Sequence, residues 1–124
     1  MPKNVVIPLF KHGQDLTGQP TAAVVGGTFA KYVPGGRAAQ PKIATAGAGE
    51  YPAGVVGHDQ EADGFVHILV GGVVPVTAGE DLIVNDRVQV GADGKAVKLT
   101  DGIPVGIATA NAATGGAAFI RLSI

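Results

Sequence analysis

The sequence predicts an all-β fold of short strands, and three observations carry that expectation. No window repeats apolar residues at i, i+3, i+4 and i+7 through three helical turns. β-branched runs instead recur every eight to twelve residues, the spacing of a sandwich or barrel. Gly, Pro, Asn and Asp stand between the runs and supply the turn chemistry that short strands need.

Taken in order, the first element is an extended N-terminal arm over residues 1–12. Its apolar run Val5-Val6-Ile7-Pro8-Leu9-Phe10 follows Pro2, is broken by Pro8, and gives way to Lys11-His12-Gly13. Proline donates no ladder hydrogen bond, so a strand flanked by it belongs at an edge, where an apolar segment can pair with another chain. Packing of the arm on its own domain is the equal alternative.

Residues 13–124 read as a single β domain. Strands are expected at Val5–Phe10 in the arm and then at Thr21–Val25, Thr28–Val33, Lys42–Ala46, Ala53–Gly57, Phe65–Val70 and Val73–Val76. Arg87–Val90, Ala96–Leu99, Val105–Ala108 and Ala117–Leu122 complete the set. Asp63-Gly64, Asp93-Gly94, Asp101-Gly102, Gly26-Gly27 and Gly71-Gly72 read as tight turns between them.

An internal echo suggests two similar β units, 13–70 and 79–124. Gly13-Gln14-Asp15-Leu16 resembles Gly79-Glu80-Asp81-Leu82, Val24-Val25-Gly26 resembles Val88-Gln89-Val90-Gly91, and Pro52-Ala53-Gly54-Val55 resembles Pro104-Val105-Gly106-Ile107. Matches of Gly and Val are common in so biased a sequence, so chance similarity is the competing reading.

Composition bounds the function. Of the 124 residues 46% are hydrophobic but only 5% aromatic, and 20 are glycine, so the core must be built largely from Ala and Val. Small side chains bury little area and glycine raises the entropy lost on folding, which makes self-association an expected source of stability. A net charge of −1 gives no basic field for phosphates, so nucleic acid is not an expected partner. The absence of cysteine excludes disulfides and thiolate metal sites. Phe65–Val76, the longest apolar stretch, contains His67, Gly71, Gly72 and Pro75 and is far shorter than the roughly 20 residues of a membrane span. The N-terminal apolar run is too short for a signal-peptide core, so a soluble chain without membrane contact or export signal is expected.

Catalytic signatures are sparse. His58-Asp59, with Asp63 and His67 nearby, is the one grouping with the residue types of a metal or general-base site. The only serine is Ser123, next to the C-terminus, and no Gly-x-Ser-x-Gly occurs. Gly91-Ala92-Asp93-Gly94-Lys95 mimics the end of a phosphate-binding loop, but Ala96 stands where Ser or Thr should meet magnesium. Gly47-Ala48-Gly49 lacks the third glycine and the helix of a dinucleotide fingerprint. The expectation is therefore no enzyme and no catalytic, metal or cofactor-binding residues. A small hydrolase or lyase using His58, Asp59 and His67 is the rival.

Three segments together resemble a known family. They are Tyr51-Pro52-Ala53-Gly54-Val55-Val56-Gly57-His58-Asp59, Gly71-Gly72-Val73-Val74-Pro75-Val76-Thr77-Ala78-Gly79, and Val88-Gln89-Val90-Gly91-Ala92-Asp93-Gly94-Lys95-Ala96-Val97, with Asp86-Arg87-Val88 and Pro104-Val105-Gly106-Ile107-Ala108 supplying the flanking motifs. In that order they resemble the capsid decoration, or cement, proteins of long-tailed phages, particularly those of actinobacterial hosts. The resemblance covers residues 13–124. It implies a small Gly-rich β-barrel or β-tulip-like domain that forms a homotrimer, binds the major capsid protein at three-fold and quasi-three-fold positions, and reinforces the head. The protein would then lie on the capsid exterior of the virion, after assembly in the host cytoplasm. The resemblance also makes Val5, Val6, Ile7, Leu9 and Phe10 of the arm the capsid-binding candidates. Another virion part, such as a tail or fibre module, shares this Gly-rich β composition and is the alternative.

Overall fold

A computed structural model describes residues 15–37 and 40–124. Ten short strands follow one another: β1 Leu16–Pro20, β2 Phe29–Val33, β3 Lys42–Thr45, β4 Gly54–Val56, β5 Val66–Leu69, β6 Val73–Thr77, β7 Arg87–Val90, β8 Ala96–Lys98, β9 Gly106–Ala108 and β10 Ala117–Leu122. The fold is all-β, as expected, with one 3-10 turn at Ala92–Gly94. The expected strand at Val5–Phe10 and the arm that contains it lie outside the described residues.

β1 to β5 close into a barrel in the order β1-β3-β2-β4-β5, with β5 returning to β1. β6 to β10 form a second sheet in the order β6-β10-β9-β7-β8. Its ends meet through a parallel bridge between Ala78 and Ala96, where Gly79 N–H donates to the Ala96 carbonyl at 2.8 Å. The two units therefore share one topology, and the correspondence holds pair by pair. Leu16 opposite Ile68 becomes Val74 opposite Ile120. Phe29 opposite Val55 becomes Arg87 opposite Ile107, and Tyr32 opposite Ile43 becomes Val90 opposite Ala96. Outside the strands, the Val24–Gln60 bridge matches the Leu82–Ala112 bridge. Gly27 (φ 75°) and Asn85 (φ 73°) take the same left-handed conformation at the same place.

This register decides which sequence echoes are structural. Pro52–Val55 and Pro104–Ile107 are equivalent, and the reason lies in the central glycine. A Cβ on Gly54 would come 2.6 Å from the Leu69 carbonyl oxygen, and one on Gly106 would meet the Arg121 carbonyl, so in both units a strand passes too close for any side chain. Leu82, by contrast, is the counterpart of Val24 rather than of Leu16, which begins β1 itself.

β1 is the strand that composition conceals. Leu-Thr-Gly-Gln-Pro has little β propensity. Yet Gly18 lies under Ile43, whose Cγ1, Cγ2 and Cδ1 would each stand 3.2 Å from a Cβ there, so the missing side chain makes room for the core of the first barrel. The more β-like Thr21–Val25 forms only the single bridge at Val24, and Thr21, Ala22, Ala23 and Val25 are exposed. Elsewhere the expected strands are present with ends shifted by a residue or so.

Two apolar clusters fill the molecule. The first barrel encloses Val24, Ala30, Ile43, Val56, Val66 and Ile68. The larger cluster joins the interior of the second unit, including Val76, Val88, Val90 and Ile120, to Phe29, Ala46 and Val55 of the first, with Leu69 packed against it. Phe29 and Val55 thus point out of their own barrel and into the core beside it. Gly27 C=O accepts from Thr77 N at 2.8 Å, and Gly49 N–H donates to Val90 O at 2.7 Å, tying the units along the same seam. The one buried side-chain amide among the described residues, Gln89, accepts at its Oε1 from the backbone N–H groups of Thr100 and Gly102, both at 2.9 Å, and so fixes the loop before β9.

Candidate interaction surface

Alternation along β6 and β10 gives the second unit a defined outer face. Val74, Val76, Ala118 and Ile120 point inward, while Val73, Pro75, Phe119 and Arg121 point to solvent. Phe119 lies opposite Pro75 and Arg121 opposite Val73. The register continues from Arg121 to Ile107 on β9 and to Arg87 on β7. Phe119 is 49% exposed and Val73 54%, so this is a strip of apolar and arginine side chains facing water. Such composition is typical of the energetically dominant part of protein interfaces. A hollow of about 460 Å³ opens at Arg87, Ile107 and Arg121 and is bordered by Pro104 and Ser123.

A second hollow of about 410 Å³ follows the seam between the units, lined by Val25, Thr28, Thr45, Thr77, Asp93 and Lys95. Val25 at its mouth is exposed, as is Ile83, the residue at the corresponding loop tip of the second unit.

The histidine grouping is brought together only in part. The rings of His58 and His67 lie 5.4 Å apart, tilted by 51°. His58 Nδ1 is 2.8 Å from the carbonyl of Asp59, and the Asp59 carboxylate accepts the Gly26 N–H at 2.8 Å. Asn111 occupies the same place in the second unit, where its Oδ1 accepts the Val84 N–H at 2.9 Å. The repeated clasp identifies the work of Asp59: it closes a loop, and an uncharged amide does the same next door. Asp63 adopts φ 67° in the turn before β5, where its counterpart is Gly115 at φ 83°. No group of three or more His, Asp or Glu among the described residues is arranged to hold a metal.

Two further carboxylates act as loop clasps. Glu50 receives the Lys31 ammonium at 3.1 Å and the Gly47 N–H at 2.7 Å, and these hold its carboxyl below the usual range, the Lys31 bond most strongly. Asp81 accepts both the N–H and the hydroxyl of Thr114 at 2.9 Å, which lowers its pKa in the same way. Hydrogen bonds to the charged form favour it, while the surrounding water keeps the effect modest.

The arm residues Val5, Val6, Ile7, Leu9 and Phe10 lie outside the described residues. The β6–β10 strip is the feature that sequence reading missed. Its signal is present, since Val73 and Pro75 alternate with Val74 and Val76, and Phe119 and Arg121 with Ala118 and Ile120. In the sequence, however, Val73–Val76 continues the apolar run that starts at Phe65, so no polar partner marks the outer face.

No family model and no curated protein matches the chain. Among solved structures it is similar to the head fiber gp8.5 N base of bacteriophage phi29, with a TM-score of 0.76 and 24% identity over 89% of this chain and 93% of that one. The likeness spans both units and is one of fold.

Proposed function

We propose that the chain is a structural protein of a phage head that binds the outside of the capsid and stabilises it, as a homotrimer at three-fold and quasi-three-fold sites. The observation that carries this reading is the fold shared almost end to end with the base of a phage head fibre. The exposed Val73, Pro75 and Phe119 support it, since apolar and aromatic side chains facing water on a rigid sheet are the material of a binding face. The partners in this reading are the major capsid protein and further copies of the chain, and no catalytic step is assigned. A small contact suffices, because many identical sites on a shell act together.

The test is to add purified protein to heads that lack it, then measure co-sedimentation and the temperature at which the heads release DNA. Binding with a raised release temperature is expected. Heads that neither bind the protein nor gain heat resistance would overturn the reading. A second reading follows from the fibre half of the same likeness: the chain could serve as the base of a projecting fibre on the head. Labelled imaging separates the two, since a cement protein covers the shell in a regular lattice and a fibre base carries an outward projection.

A further inference from the structure

The repeat shows what one strip of this fold is for. In the first barrel the row Phe29, Val55, Leu69 packs into the core of its neighbour, and Phe29 and Val55 are fully buried there. The equivalent row of the second unit is Arg87, Ile107, Arg121, in the same register across β7, β9 and β10. Its two arginines are exposed and Ile107 between them is half-buried, and the row opens into the 460 Å³ hollow. Among the described residues the ion pairs are Lys31–Glu50 and Lys98–Asp86, so neither arginine has a carboxylate partner. Residues 1–14, 38 and 39 contain no Asp or Glu that could serve.

We propose that this strip docks the segment Glu61–Phe65 of a second copy of the chain, with Glu61 and Asp63 meeting Arg121 and Arg87 and Phe65 covering Ile107. The choice of occupant follows from the carboxylates. Glu50 and Asp86 are in ion pairs, and Asp59, Glu80, Asp81 and Asp101 accept hydrogen bonds from neighbouring groups. Of the other four, Asp15 and Asp93 stand singly, whereas Glu61 and Asp63 are exposed and two residues apart, and none of the four carboxylates is engaged among the described residues. Phe65, two residues further on, is 54% exposed. The arginines stand two strands apart, about 10 Å between backbones, within reach of two carboxylates on an adjoining turn. Arginine joined to carboxylate across an apolar centre is a strong and directional contact. Because the two patches differ, the contact is head-to-tail and closes a ring when the rotation permits. It rests on the trimer reading above and supplies that trimer's contact.

The test uses the full chain and compares four proteins by sedimentation over a range of concentration and salt: wild type, Arg87→Glu/Arg121→Glu, Glu61→Arg/Asp63→Arg, and all four substitutions together. Each double reversal is expected to weaken association by roughly a hundredfold, because like charges then face each other. The fourfold variant should restore it, and salt should weaken both wild type and the fourfold variant. Circular dichroism verifies folding, with Arg87→Gln/Arg121→Gln as the milder substitute. A wild-type trimer that survives both reversals, or a fourfold variant that stays dissociated, overturns this contact and leaves the trimer reading standing. A wild-type monomer at every concentration overturns both. Head binding, measured in parallel, reports on the capsid reading separately.

Discussion

Replacing Phe29 by alanine tests the claim that the two units share a core. Phe29 is fully buried and lies on β2, yet it packs with Val76, Val88 and Ile120 of the second unit. Removal of a buried phenyl group forfeits its transfer free energy and leaves a cavity, a combined cost of about 3–5 kcal/mol. For a chain of this size that corresponds to a fall in melting temperature of roughly 10–20 °C. Tyr32 on the same strand is the internal control, because it is 56% exposed and its loss should cost about 1 kcal/mol or less. Urea denaturation followed by circular dichroism, at one fixed protein concentration, measures both. Wild type should unfold in one transition, since the cluster around Phe29 spans both units. Costs for Phe29→Ala and Tyr32→Ala that agree within about 1 kcal/mol, or two separated transitions in the wild type, would refute the shared core.

Two other predictions concern the loop clasps. Asp59→Asn should be nearly neutral because Asn111 makes the same bond in the second unit, whereas Asp59→Ala should cost about 1 kcal/mol and speed hydrogen exchange at Gly26. Equal losses in the two variants would give Asp59 a role that needs its charge. Glu50 and Asp81 titrate below their ordinary values when folded, so their contribution is present at neutral pH and is lost as pH falls through the lowered values. Melting temperature should therefore drop on acidification below about pH 4, and less steeply in Glu50→Gln/Asp81→Asn, whereas identical pH profiles would remove these clasps from the account.

How much was legible in the sequence depends on whether the signal was local. The turn residues before β5, β6 and β8 and the β-branched runs of β3, β6 and β7 carry their own conformational preferences, which is why their positions could be read directly. Pro52-x-Gly54 and Pro104-x-Gly106 were visible as an echo because both strands must pass a carbonyl at a distance that only glycine tolerates. β1 was not legible, because Gly18 and Pro20 belong to a strand only by virtue of Ile43 above them and the parallel partner β3 beside them. The histidine grouping was legible as residue types but not as geometry, since the role of Asp59 depends on Gly26, thirty-three residues away.

The sequence by itself determined an all-β chain with a core of small side chains and no evident catalytic motif, because periodicity, turn chemistry and composition are properties of neighbours along the chain. Only the tertiary structure decided that the β units share one register, that Phe29 and Val55 belong to the core of the adjoining unit, and that Arg87, Ile107 and Arg121 form the same strip laid open. Those relations join residues far apart in sequence. In a strand one residue's shift reverses the face a side chain presents, so buried seam and exposed strip differ only through pairings that no local pattern records.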